Sequence, residues 1–110
     1  MQDNKTTQAA RKGPLAGLKV VELTNVMAGP VAGLMLADMG ADVIKVERLP
    51  GGDDTRRATP PEIKGESAAF MIVNRNKRGI AVNLKKPEGV DVVRRLIAKA
   101  DVVIENFRPG

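Results

Sequence analysis

The run Val20-Val21-Glu22-Leu23-Thr24-Asn25-Val26-Met27-Ala28-Gly29-Pro30-Val31-Ala32-Gly33-Leu34-Met35-Leu36-Ala37-Asp38-Met39-Gly40-Ala41-Asp42-Val43-Ile44-Lys45-Val46-Glu47 decides the fold. Its first four residues form a short, mostly apolar, β-branched strand. Pro30 suits the first turn of a helix, where a missing N–H costs nothing. Val31, Leu34, Met35 and Met39 then recur at helical spacing, and Gly40 supplies a left-handed stop. Asp42 to Glu47 reads as a second strand. Strand, helix and strand this close together predict a parallel βαβ unit with a right-handed crossover.

Downstream, Leu49 to Lys64 is rich in Pro, Gly and charge, which predicts a long surface loop of a length more often functional than idle. Ser67 can cap a short helix through Ala68 to Val73. Ile80, Val82 and Leu84 alternate with Ala81 and Asn83, so a third strand with one apolar face is expected, at an edge of the sheet. Pro87-Glu88-Gly89 opens a last helix with Val90, Val93, Ile97 and Ala100 on one side and Asp91, Arg94, Arg95 and Lys99 off it. Lys86 stands where a Ser, Thr or Asp cap is expected. Val102-Val103-Ile104 is a fourth strand with no helix after it. The fold class is therefore α/β, a Rossmann-like parallel sheet with flanking helices. Residues 1–13 read as a disordered leader and residues 14–110 as an incomplete domain, the front piece of a larger enzyme. With one sheet face uncovered, such a piece is expected to self-associate or to be stable only within a longer chain.

Composition removes several chemistries. The 110 residues contain no Cys and no His, which excludes disulfides, thiolate nucleophiles, the Ser-His-Asp triad and the usual zinc sites. The formal charge of +5 leaves nucleic acid, anionic lipid and a polyphosphate cofactor as partners to weigh. With only two aromatics, Phe70 and Phe107, stacking of single-stranded bases is disfavoured. The polar start of the chain is neither a signal peptide nor a membrane span, and a cytoplasmic location is expected.

Basic residues fall near strand ends: Arg48 after the second strand, Lys77 and Arg78 before the third, Lys85 after it, and Arg108 after the fourth. Clustered at one sheet edge, they would bind phosphate; taken alone, Arg75 to Arg78 reads as a solvated charge run. The turn Asn25 to Pro30 aims backbone N–H groups at any ligand in the crevice. It lacks Gly-x-Gly-x-x-Gly, and no P-loop occurs anywhere, so neither a dinucleotide site nor a Walker site has its backbone geometry. Glu22, Glu47 and Glu105 lie in or at the ends of strands, but with no second group at a meaningful spacing they read as structural. Phe107, between Asn106 and Arg108, can lie against an adenine or pantetheine group.

Five blocks in order resemble class III CoA-transferases, the CaiB/BaiF group that includes formyl-CoA transferase. They are Pro14 to Leu23 with Ala28-Gly29-Pro30, then Leu36 to Glu47, Gly52 to Arg56, Asn74 to Arg78, and Glu105 to Gly110. The resemblance implies a large domain that binds CoA at its sheet edge and a full-length subunit that interlocks with a second one. It implies acyl-CoA and a carboxylic acid acceptor as partners, with no nucleic acid, no membrane and no metal. It also implies an aspartate nucleophile, which would lie beyond Gly110, so no catalytic residue is assigned. Carried over by position, the CoA contacts are Met27, Ala28, Arg48, Val82, Asn83, Leu84, Lys85, Asn106, Phe107 and Arg108. Formyl-CoA transferases carry Gln where Met27 stands and Trp where Ala58 stands, which speaks against an oxalate or formate substrate. An α-methylacyl-CoA racemase-like enzyme and a non-enzymatic nucleotide-binding module are the competing readings.

Overall fold

A computed structural model describes residues 12–109. Residues 1–11 of the expected leader, and Gly110, lie outside the described residues. Gly13 is placed against the end of the first helix, where a Cβ would collide with the Met39 carbonyl. Strand β1 (Lys19–Leu23) leads to helix α1 (Ala28–Asp38) and strand β2 (Asp42–Arg48). A 3-10 turn (Asp54–Arg57) and a short antiparallel hairpin, β3 (Glu62–Ile63) with β4 (Glu66–Ser67), follow. Helix α2 (Ala68–Val73), strand β5 (Arg78–Val82), helix α3 (Pro87–Ala98) and strand β6 (Val102–Glu105) complete the order.

The four long strands form one parallel sheet in the order β5-β2-β1-β6. The chain winds outward from β1 to β5 and then crosses to the other side of β1 for β6. The strand order reverses between β1 and β6, where open α/β sheets leave a crevice at their carboxyl ends. β5 is an edge strand, as its half-apolar alternation requires, but it ends at Val82, and Asn83, Leu84 and Lys85 belong to the following loop.

Alternation along the strands divides the core in two. Val20 and Val43 pack under α1 with Ala37 and Ala41, while Val21, Val46 and Val82 pack under α3 with Val93. Ser67 caps α2 by accepting from the Phe70 N–H at 3.2 Å, whereas Lys86 provides no side-chain cap to α3. Gly40, at φ +105°, ends the α1 segment in the conformation that favours glycine. Val102 and Val103 on the edge strand β6 are 36% and 43% exposed.

The expected surface loop is partly interior. Asp53 and Thr55 are buried, because Asp53 caps the 3-10 turn and faces into the sheet edge. One glycine on α1 shows how tightly charge is packed below that helix: a Cβ on Gly33 would fall on Glu22 Oε1. Gly33→Ala gains up to about 1 kcal/mol of helix propensity, but overpacking costs about 1–3 kcal/mol and Glu22 has no room to retreat. We expect a lower urea midpoint for this variant; an unchanged or raised midpoint would show that Glu22 is free to move.

Candidate functional site

The carboxyl ends of β1, β2, β5 and β6 meet at one edge and carry all the candidate ligand residues. β1 runs into Thr24-Asn25-Val26, and Met27 is the N-cap of α1, with no side chain bonded to the helix end. β6 runs into Asn106, whose side chain bridges the strand-order reversal: its Oδ1 accepts from the Asn25 N–H at 3.0 Å and its Nδ2 donates to the Asn25 carbonyl at 3.0 Å. Asn106 therefore joins β6 to the β1–α1 turn. Arg48 ends β2 and donates to Asp54 at 2.7 Å. Asp54 is tied in turn to Asn25, whose Nδ2 donates to it at 2.9 Å and whose Oδ1 accepts from the Asp54 N–H at 2.9 Å. The Leu49 N–H donates to the Val82 carbonyl at 3.1 Å, linking the exits of β2 and β5. Asn83 turns the next loop by accepting from the Lys85 N–H at 3.0 Å. Met27 and Phe107 are exposed, at 54% and 45%.

Two of the expected phosphate-binding cations are not at this edge. Lys77 and Arg78 stand at the opposite, amino end of β5. Arg78 forms a bidentate pair with Asp42, at 3.0 and 2.8 Å. Arg75, Asn76 and Arg78 are exposed, as a solvated charge run requires, but the Lys77 ammonium between them is buried. Arg75 and Asn76 both bond Asp38, which holds that carboxyl below its usual range.

Lys77 runs under α1 to a buried charge cluster that periodicity alone does not reveal. Glu22 and Lys45 are register partners on the α1 side of the sheet, and both are fully interior. Lys45 Nζ lies 3.2 Å from Glu22 Oε2 and 2.8 Å from Asp53 Oδ2. Lys77 Nζ lies 2.9 Å from Glu22 Oε1 and donates to the Pro30 carbonyl and Asn74 Oδ1, both at 2.8 Å. Thr24 adds a short hydroxyl bond to Glu22. Glu22 Oε1 and Asp53 Oδ2 have ion-pair contacts at these distances without a well-aligned hydrogen bond. Two ammonium groups thus face two carboxylates, so the cluster is neutral as a whole. Burial pushes the Lys77 ammonium down, with the Glu22 pair opposing.

Asp53 connects this cluster to the ligand edge. Its Oδ1 accepts from the Val26 N–H at 3.1 Å, the Thr55 N–H at 2.9 Å and the Thr55 hydroxyl at 2.8 Å. Burial would raise the Asp53 carboxyl, but Lys45 and these N–H and O–H donors outweigh it and hold it below its ordinary value. Glu47 accepts from the Asp53 N–H at 2.8 Å and pairs with Arg56 at 2.7 Å through both oxygens; the guanidinium hydrogen bonds lower its carboxyl against burial. Arg56 lies over the Phe70 ring at 3.9 Å. Glu22 and Glu47 are thus both held in ion pairs. Among the described residues, no group of His, Cys, Asp and Glu is arranged to hold a metal ion. No helix of the described residues is long and apolar enough to cross a membrane.

This arrangement is an α/β domain, a four-stranded Rossmann-like parallel sheet flanked by helices, with polar loops at its carboxyl edge. Residues 15–110 match CoA-transferase family III, and the chain belongs to that family. It is 56% identical over 109 residues to the succinate–glutarate CoA-transferase of Agrobacterium fabrum, covering 94% of this chain and 27% of that one. It is 53% identical to the succinyl-CoA:glutarate CoA-transferase of Homo sapiens, over 88% of this chain and 22% of the relative. The formyl-CoA:oxalate CoA-transferase of Escherichia coli is 45% identical, over 88% and 23%. The crystal structure of a CaiB/BaiF family protein from Brucella suis superposes with a TM-score of 0.81 at 54% identity, over 87% of this chain and 26% of that one. The chain thus spans about a quarter of the length of the curated relatives it matches.

Proposed function

We propose that this chain is the amino-terminal CoA-binding portion of an acyl-CoA:carboxylate CoA-transferase. The observation that carries the reading is the convergence of Met27, Ala28, Arg48, Val82 to Lys85 and Asn106 to Arg108, which leave four different strands, on one crevice edge. In this reading Arg48, Lys85 and Arg108 bind the phosphates of CoA, and the N-terminal turn of α1 offers backbone N–H groups. Phe107 offers an apolar face to the adenine or pantetheine. The relatives at 53% and 56% identity are named for succinate and glutarate, above the oxalate enzyme at 45%. Together with Met27 and Ala58 in place of Gln and Trp, this favours a dicarboxylate longer than oxalate, such as succinate or glutarate, as acceptor.

The chemistry we assign to the intact enzyme uses an aspartate beyond residue 110. Its carboxylate attacks the acyl-CoA carbonyl, giving a mixed anhydride and releasing CoA thiolate. The thiolate attacks the aspartyl carbonyl of the anhydride, freeing the donor acid and leaving an aspartyl-CoA thioester. The acceptor carboxylate then attacks that thioester, and the released thiolate takes the acceptor acyl group, which regenerates the aspartate. The two subunits of an interlocked homodimer would enclose these steps.

The test is turnover by the intact enzyme with succinyl-CoA and glutarate. CoA transfer with a hydroxylamine-sensitive enzyme-bound thioester is expected, with no transfer by residues 1–110 alone. Epimerisation of an α-methylacyl-CoA without transfer to any acid would replace this reading with the racemase one, and turnover by the isolated 110 residues would refute the placement of the nucleophile.

A further inference from the structure

The β1–α1 turn does not hold its own shape. Val26 sits at φ +69°, a left-handed conformation that β-branched residues avoid. Neither Asn25 nor Met27 supplies a local side-chain bond that would impose it: Asn25 is directed outward to Asp54, and Met27 has no capping group. Among the described residues, the side chain hydrogen-bonded to the Val26 N–H is the carboxylate of Asp53, from the loop after β2.

That carboxylate is itself fixed from every side. Lys45 holds Oδ2, Thr55 holds Oδ1 twice, and Glu47 holds the Asp53 N–H. The approach to Glu47 requires glycine next door: Gly52 is at φ +67°, and a Cβ there would collide with Glu47 Oε2. Asp54 adds the outer half of the same clamp through its reciprocal bonds with Asn25. The rigid part of the loop is thus bolted to the sheet through Lys45 and Glu47 and grips the turn at two consecutive residues. A buried, multiply bonded carboxylate has few alternative positions, so it transmits the sheet's rigidity to the turn.

We infer that Asp53 is a positioning residue for CoA: it acts through the Val26 N–H to hold the turn that presents Met27, Ala28 and the first N–H groups of α1 to the ligand. This rests on the CoA-binding reading above. It adds that part of the affinity for CoA resides in a residue the ligand does not touch. Preorganised contacts of this kind change ligand affinity when the support is loosened, although no contact is removed.

The test uses the intact enzyme and CoA as the probe. Asp53→Asn keeps the volume and one oxygen, but its amide cannot both accept from Val26 and leave an oxygen on Lys45. Loss of one such bond at the turn is expected to raise the CoA dissociation constant about fivefold. KM for the CoA thioester should rise in parallel, and KM for the acceptor acid should stay within about twofold. Gly33→Ala is the structural comparator: it strains the same buried cluster through Glu22 but leaves the Asp53–Val26 bond intact, so it should lower thermal stability without changing CoA affinity. Equal CoA affinity in folded Asp53→Asn and wild type would overturn the inference, as would an equal loss in Gly33→Ala. Should Asp53→Asn fail to fold, Thr55→Val, which removes one of the bonds fixing Asp53, carries the same test with an expected weakening of about twofold to threefold; no weakening overturns it. If wild type itself does not bind CoA, the functional reading fails instead.

Discussion

Replacing Lys45 with methionine is expected to destabilise the fold by about 3–5 kcal/mol, the usual cost of removing one partner from a buried ion pair. The side chain is 3% exposed and lies between two carboxylates, Glu22 and Asp53, that are themselves at 0%. With the ammonium gone, Lys77 still neutralises Glu22, but Asp53 keeps only N–H and O–H donors and must either stay charged in the interior or take up a proton. Against a total stability of about 5–15 kcal/mol for a typical domain, the loss is large. The surface pair Arg95–Asp91, at 71% and 64% exposure, is the contrast: Arg95→Met should change stability by less than about 0.5 kcal/mol. Equilibrium urea unfolding followed by far-UV circular dichroism suits a chain without Trp or Tyr. A Lys45→Met midpoint no lower than that of Arg95→Met would mean that water reaches the cluster and screens it.

The contrast also explains which parts of the molecule were legible in the sequence. Strands and helices whose apolar residues repeat with a clean period were readable: β1, α1, β2, α2, α3 and β6 stand where Val20, Val31, Val43, Ala68, Val90 and Val102 place them. Position along the chain also grouped the candidate ligand residues, because residues after parallel strands share one side of the sheet. Lys77 and Arg78 fail this rule for a simple reason: Lys77 precedes β5 and Arg78 is its first residue, so both start from the other side. The charge cluster was hidden because its members are separated by long stretches of chain and meet only through register. One signal was available: Glu22 and Lys45 are charged residues flanked by apolar neighbours, at inward positions of strands that a parallel sheet buries on both faces. A charge at such a position demands a partner, and each of these is the other's. Asp53 carried no comparable signal. Its Gly- and charge-rich surroundings read as solvent-exposed, and only the tertiary contacts with Lys45, Glu47 and Val26 turn it inward.

At the ligand edge the largest expected effect belongs to Arg48→Ala. A charge-assisted bond to phosphate is worth about 1.5–3 kcal/mol, so the substitution should weaken CoA binding by about tenfold or more in the intact enzyme. In this structure the guanidinium is already engaged, because Asp54 accepts from Arg48 at 2.7 Å and pairs with Arg57 as well. The Asn25 and Arg48 hydrogen bonds push the Asp54 carboxyl down to about 2, so mild acidity does not release Arg48. A CoA phosphate must then share or displace that carboxylate, and the two substitutions have opposite signs. Asp54→Asn keeps its backbone N–H on Asn25 and an oxygen for the Asn25 amide but drops the competing charge, so CoA should bind about threefold more tightly at low salt. Added salt should narrow the difference, since both residues are about half exposed. Calorimetric affinities that fall for Arg48→Ala and rise for Asp54→Asn would identify Arg48 as the phosphate ligand and Asp54 as its resident competitor. Equal affinities across wild type and both variants would leave Arg48 as a loop anchor and move the phosphate site to Lys85 and Arg108.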